Sequence, residues 1–145
     1  MRINYRRTLA AVVLVVVAPA LAGQETDFEA LKGLWIAESI EKAGKQAPPE
    51  AVKLMRFTFH EKELLIKGNF QDEREISCSY KIDATQEPKH LEFTPPREEQ
   101  AVLGIYRVRE GKLEICMRRP DSPKGRPTTF ETGDDESLVL VKFKR

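Results

Sequence analysis

The chain has 145 residues, with 24 Lys and Arg against 23 Asp and Glu, two histidines and two cysteines. That length suits a single domain with a modest core. The near balance of charge, with only the Arg118–Arg119 doublet standing out in the body of the chain, argues against a nucleic-acid footprint.

The first segment differs from everything after it. Arg2, Arg6 and Arg7 are followed by an unbroken apolar run from Leu9 to Ala18, then by Pro19 and Ala20-Leu21-Ala22. This order is that of a secretory signal peptide with small residues at the cleavage site. The apolar run is too short to cross a bilayer, which takes roughly 20 residues. The expectation is therefore a signal over residues 1–22, removed after Ala22, and one exported domain over residues 23–145, periplasmic or secreted. The signal takes three basic residues with it and leaves that domain at a net charge of −2. A second long apolar segment is not seen, so no membrane association is expected after cleavage.

Residues 26–32 read as a short helix, with Thr26 or Asp27 as cap and Phe28 and Leu31 on one face. From there on the period is two. Met55, Phe57 and Phe59 alternate with Arg56, Thr58 and His60, and Ile76, Cys78, Tyr80 and Ile82 with Ser77, Ser79 and Lys81. Leu91 and Phe93, and later Val139, Val141 and Phe143, repeat the pattern. Such alternation marks strands with one buried face. Turn signals at Ala43-Gly44, Gly68-Asn69, Pro95-Pro96, Glu110-Gly111 and Gly133-Asp134 separate them. The predicted strands are 34–41, 53–60, 63–68, 73–83, 89–94, 101–109, 112–118 and 137–144. Eight strands with short links predict an all-β, antiparallel up-and-down meander that closes into a barrel, because closure removes exposed edges. Cys78 falls in phase with an apolar face, whereas Cys116 falls in phase with Glu114 and Arg118. Side chains on opposite faces of one sheet do not meet, so strand phase argues against a bridge between the two.

Several separated motifs carry a resemblance. They are Leu31-Lys32-Gly33-Leu34-Trp35 with Ser39 and Gly44-Lys45, Pro88-Lys89, Gly104-Ile105-Tyr106, Leu113-Glu114-Ile115-Cys116 and Arg126-Pro127-Thr128-Thr129-Phe130, before a last strand ending in Lys144-Arg145. In this order they resemble a family of small domains first described from planctomycete bacteria, over roughly residues 28–145. The resemblance implies a lipocalin-like, calycin-type barrel, often exported, and brings no assigned activity. Gly33-Leu34-Trp35 with a basic residue at the end of the last strand also resembles the lipocalins, in which that residue packs over the tryptophan. Lys144 and Arg145 are the candidates, and a cation over an indole face would close one barrel end. The stretch over residues 23–145 is shorter than the usual lipocalin, and no helix is predicted after the last strand, so a large ligand cavity is not expected.

Chemistry-bearing constellations are scarce. His60 and His90 have no partner at metal-ligand spacing, so neither a metal nor another cofactor is expected. Ser77 and Ser79 lack a nucleophile elbow, and Cys116 is a lone cysteine on a strand, so no catalytic residue is assigned and the protein is not expected to be an enzyme. The carboxylate pairs, such as Glu98/Glu99 and Asp134/Asp135, sit in predicted loops and read as solvated charge. Arg126, stiffened by Pro127, offers either a bidentate donor for an anion or an internal ion pair, with Phe130 filling the core; the internal pair is preferred. Gly33, Trp35, Cys116, Arg126, Pro127, Phe130 and Arg145 form the structural signature.

Trp35, Phe57, Phe59, Tyr80, Phe93 and Tyr106 are the candidate barrel lining. The sequence leaves open whether they surround a pocket or fill the core. The leading expectation is non-catalytic binding of a small apolar or amphipathic ligand. The alternative is a cell-envelope structural or protein-interaction module with a filled core and an unknown protein partner.

Overall fold

The computed structural model describes residues 26–68 and 74–145. The expected signal over residues 1–22 lies outside the described residues. Residues 26–31 are helical (α1), within the predicted helix. They lead into β1 (Gly33–Lys42), β2 (Lys45–Gln46), α2 (Pro49–Leu54), β3 (Arg56–Phe59), β4 (Glu63–Lys67), β5 (Ile76–Asp83), β6 (Lys89–Thr94), β7 (Val102–Arg109), β8 (Lys112–Arg118) and β9 (Leu138–Lys144). From β3 to β9 each strand pairs antiparallel with the next, and β1 pairs with both β3 and β9. Eight strands thus close into an up-and-down barrel, with β2 an appendage hydrogen-bonded to the end of β1. The fold class is the one the alternation predicts.

The turns explain why neighbours in sequence are neighbours in the barrel. Ala43 and Gly44, and likewise Glu110 and Gly111, take φ of 50° and 74°, and of 54° and 74°. Two consecutive left-handed residues match the twist of the strands they join, and glycine takes the second of them without strain.

One predicted strand is shortened. The stretch from residue 53 is expected to be extended, yet α2 runs to Leu54 and β3 begins at Arg56. Pro49 occupies the first turn, Glu50 lies at its N-terminal end and Lys53 at its C-terminal end, all favourable for a short helix. Its place is set by β1. The β1–β3 register ends at Ile36, the β1–β9 register shifts between Ala37 and Ser39, and Ala37 N–H donates to Met55 O at 3.1 Å. A bulge bends β1 away from β3 there, and α2 packs against β1 beyond it.

The inward faces make one core. Trp35, Phe57, Phe59, Leu64, Leu91, Phe93, Tyr106, Leu113, Ile115, Val141 and Phe143 are buried together. Phe57 is central, with ring centroids 4.9 Å from Phe143, 6.2 Å from Phe93 and 6.4 Å from Phe59. A second, smaller core lies outside the wall, where Ile105, Cys116, Leu138 and Leu140 are covered by Phe130. The cover belongs to a strap, residues 119–137, between β8 and β9. It explains why Cys116, in phase with Glu114 and Arg118, is fully buried nonetheless. Cys78 belongs to the inner core and Cys116 to the outer one, and both are free thiols.

Candidate functional site

The two ends of the barrel differ. β1 begins at one end, where α1 lies across the opening. Leu31 is fully buried there, and Trp35 Nε1–H donates to Leu31 O at 2.7 Å. The Arg145 guanidinium sits 4.1 Å above the Trp35 ring and donates to Lys32 O and Ala30 O, both at 2.6 Å. Of the two basic residues offered by the sequence, Arg145 therefore takes the indole face, and Lys144 is exposed. Asp27, the candidate cap, instead accepts from Tyr106 Oη at 2.6 Å and from Lys89 Nζ at 2.8 Å. Burial and the Asp27 carboxylate together push the Tyr106 phenol well above its ordinary range. Helix, indole, guanidinium and phenol–carboxylate pair make this a closed end with every named polar group engaged.

The strap signature is engaged as well. Arg126 Nη1–H donates to Leu91 O at 2.7 Å and to Gly104 O at 2.6 Å, while Nη2 lies 3.4 Å from Glu92 Oε2. Leu91 and Gly104 are register partners, so one side chain stitches the strap to β6 and β7. A Cβ at Gly104 would come within 2.9 Å of Cys116 O, which is why that strand position is glycine. Pro127 is buried, and Phe130 receives Arg107 over its ring at 4.1 Å. The fork that the sequence offers as an anion site is thus bound to the barrel wall.

The opposite end holds a pocket of about 210 Å³ that opens to solvent. Met55, Phe57, Ile66, Ile76, Phe93, Pro95, Val102, Met117, Pro120, Val139 and Val141 supply apolar walls, and Arg118 and Arg119 are its charged lining residues. Phe57 and Phe93, two of the six aromatic candidates, line it. Trp35, Phe59 and Tyr106 are fully or almost fully buried without lining it. Tyr80 is half-buried, 5.5 Å from Phe59, and donates to His60 O at 2.5 Å. The question left open by the sequence has a divided answer: aromatics fill the closed half, and the other half has a mouth. The mouth residues missed in the sequence share a signal, since they are inward-phase positions at the ends of β3, β4, β5, β7, β8 and β9 remote from α1. Residues 69–73, between β4 and β5 in the chain, lie outside the described residues.

Elsewhere the charged groups satisfy one another. A larger hollow on the outer wall, about 350 Å³, is lined by Glu38, Arg107, Arg109, Lys112, Glu114 and Lys142 among others. Glu114 is bonded to Arg107 and lies 3.7 Å from both Arg109 and Lys142, and the Arg107 hydrogen bond holds its carboxyl below the usual range. Lys112 is 2.7 Å from Glu38. Among the described residues no group of three His, Cys, Asp or Glu is placed to hold a metal ion. Burial pushes both thiols up to about 11, where a thiolate is scarce.

No family model, curated protein or solved structure matches the chain.

Proposed function

We propose that the protein is an exported, non-catalytic barrel of lipocalin type that binds a small apolar or amphipathic ligand at its open end. The observation that carries this reading is the mouth pocket: concave, lined mostly by apolar side chains, open to solvent and backed by a packed aromatic floor. Its size bounds the ligand. A dry protein cavity of about 150 Å³ is enough to hold benzene, and sites for drug-sized molecules start near 300 Å³. At about 210 Å³ the mouth takes one ring or a short chain. The closed eight-stranded barrel and Arg145 stacked on Trp35 after Gly33 support the resemblance to lipocalins and to the small domains described from planctomycetes. The charge pattern and apolar run of residues 1–22 support export.

Native mass spectrometry of the protein taken from the exported fraction tests this reading. A non-covalent mass lost on denaturation is expected, and Val139→Trp, which fills the mouth, should abolish it. A bare chain mass in both, with a partner protein retained instead, would favour an interaction module.

A further inference from the structure

We propose that the ligand is a short anionic amphiphile, whose apolar end enters the mouth while an acidic head, such as a carboxylate, stays at the rim beside Arg119. This deepens the mouth-binding reading and rests on it. Among the described residues, the charged ones lining the pocket are both arginines, and no carboxylate lines it. Arg118 is nine-tenths buried. Its Nη1 donates to Asp135 Oδ2 and Ser137 Oγ, both at 2.8 Å, but its Nε–H has no hydrogen-bond partner among the described residues. That Nε is closed off from solvent, so Arg118 acts on the rim through its permanent charge and not by contact. Asp135 does not neutralise the rim, because Lys124 shares the same carboxylate oxygen at 3.2 Å.

Arg119 is the more exposed of the two. Its side chain is half exposed, and its Nε lies 3.4 Å from Asp121, itself largely exposed. An exposed pair of that kind is weakly held, so the guanidinium is available to an incoming anion. Among the described residues that line the pocket, Arg118 and Arg119 stand against no carboxylate, a surplus of positive charge beside an apolar cavity. Low polarity strengthens that surplus and penalises a cationic head as much as it favours an anionic one. The volume sets the tail: the mouth holds about 210 Å³, and Phe57 and Phe93 stop anything longer from going deeper.

The test uses four probes at matched ionic strength, with affinities measured by calorimetry: octanoate, octanol, octylamine and dodecanoate. Octanoate is expected to bind at least tenfold more tightly than octylamine, with octanol between them. Arg119→Gln should lower octanoate affinity about fivefold, as for an exposed charge, and leave octanol unchanged. The exposed position keeps this substitution clear of the fold, which circular dichroism checks. Dodecanoate should gain little over octanoate. Octanoate no tighter than octanol, or an Arg119→Gln variant with the same order of affinities, would overturn the anionic head while leaving the mouth reading intact. A dodecanoate gain of roughly fourfold per added methylene, the value for full burial, would overturn the short tail. Failure of all four probes to bind would overturn the mouth reading with it.

Discussion

Trp35 is the residue on which the closed end depends. It is fully buried, its N–H is bonded to Leu31, and Arg145 covers its ring. Trp35→Ala should cost about 3–5 kcal/mol in chemical denaturation, the range for large aromatic truncations in cores. Arg145→Ala should cost about 1–2 kcal/mol, from the stacking and the carbonyl bonds to Lys32 and Ala30. An unchanged denaturation midpoint in both would contradict the closure. The pairing was partly legible in sequence. Gly33-Leu34-Trp35 names the indole, and the phase of Phe143 extends to Arg145 rather than to Lys144. What alternation does not reveal is a layer outside the wall. Cys116 reads as polar-facing because Glu114 and Arg118 flank it, and only the strap over it makes the position buried. With both thiols pushed up to about 11, thiolate at pH 8 is roughly one part in a thousand. Both cysteines should therefore resist a maleimide in the native state and react on denaturation. Rapid native labelling of either would contradict the burial described.

At the scale of elements, the strands were legible and the pieces that depend on tertiary context were not. Strand positions follow from a period of two, and strand ends from turn residues, so β6 and β8 coincide with the predicted ranges. α2 was missed because its six residues are too few to show a helical period, and the bend of β1 that makes room for it has no local signature. The strap falls between two predicted strands, and in sequence Asp134/Asp135 read as solvated acids. Asp135 is instead a hub: it accepts from Ser137 N–H and Oγ, from Arg118 and from Lys124. The Ser137 hydrogen bonds, with Arg118, hold its carboxyl well below the usual range. A carboxyl depressed in the folded state adds stability above its ordinary pKa, near 3.9, and loses that contribution as pH falls below it towards the folded value. Asp135→Asn should therefore lower Tm at pH 7 and loosen residues 119–137 to limited proteolysis. The difference in Tm from the unaltered protein should shrink as pH drops below about 4. A pH-independent difference would assign the role to hydrogen-bonding shape alone.

For the whole molecule, the sequence specified a closed barrel but not its contents. Six inward aromatics are compatible with a filled core or a lined pocket, and what decides between them is how they divide along the axis. Phe59, Phe143 and Trp35 pack the half nearest α1, Phe57 and Phe93 form the floor between the halves, and smaller Val and Ile side chains with Met117 leave space at the other end. The mouth was illegible because it is built from the ends of six strands far apart in the chain, none distinctive alone. The direct measurement is a titration of ¹⁵N-labelled protein with octanol, an uncharged probe, followed by amide chemical shifts. Saturable shifts at Met55, Ile66, Val102, Met117 and Val139, with the Trp35 indole N–H and Leu31 unmoved, are the predicted result. Shifts centred on Trp35 and Leu31, or no saturable shift anywhere, would contradict a barrel closed at one end and ligand-binding at the other.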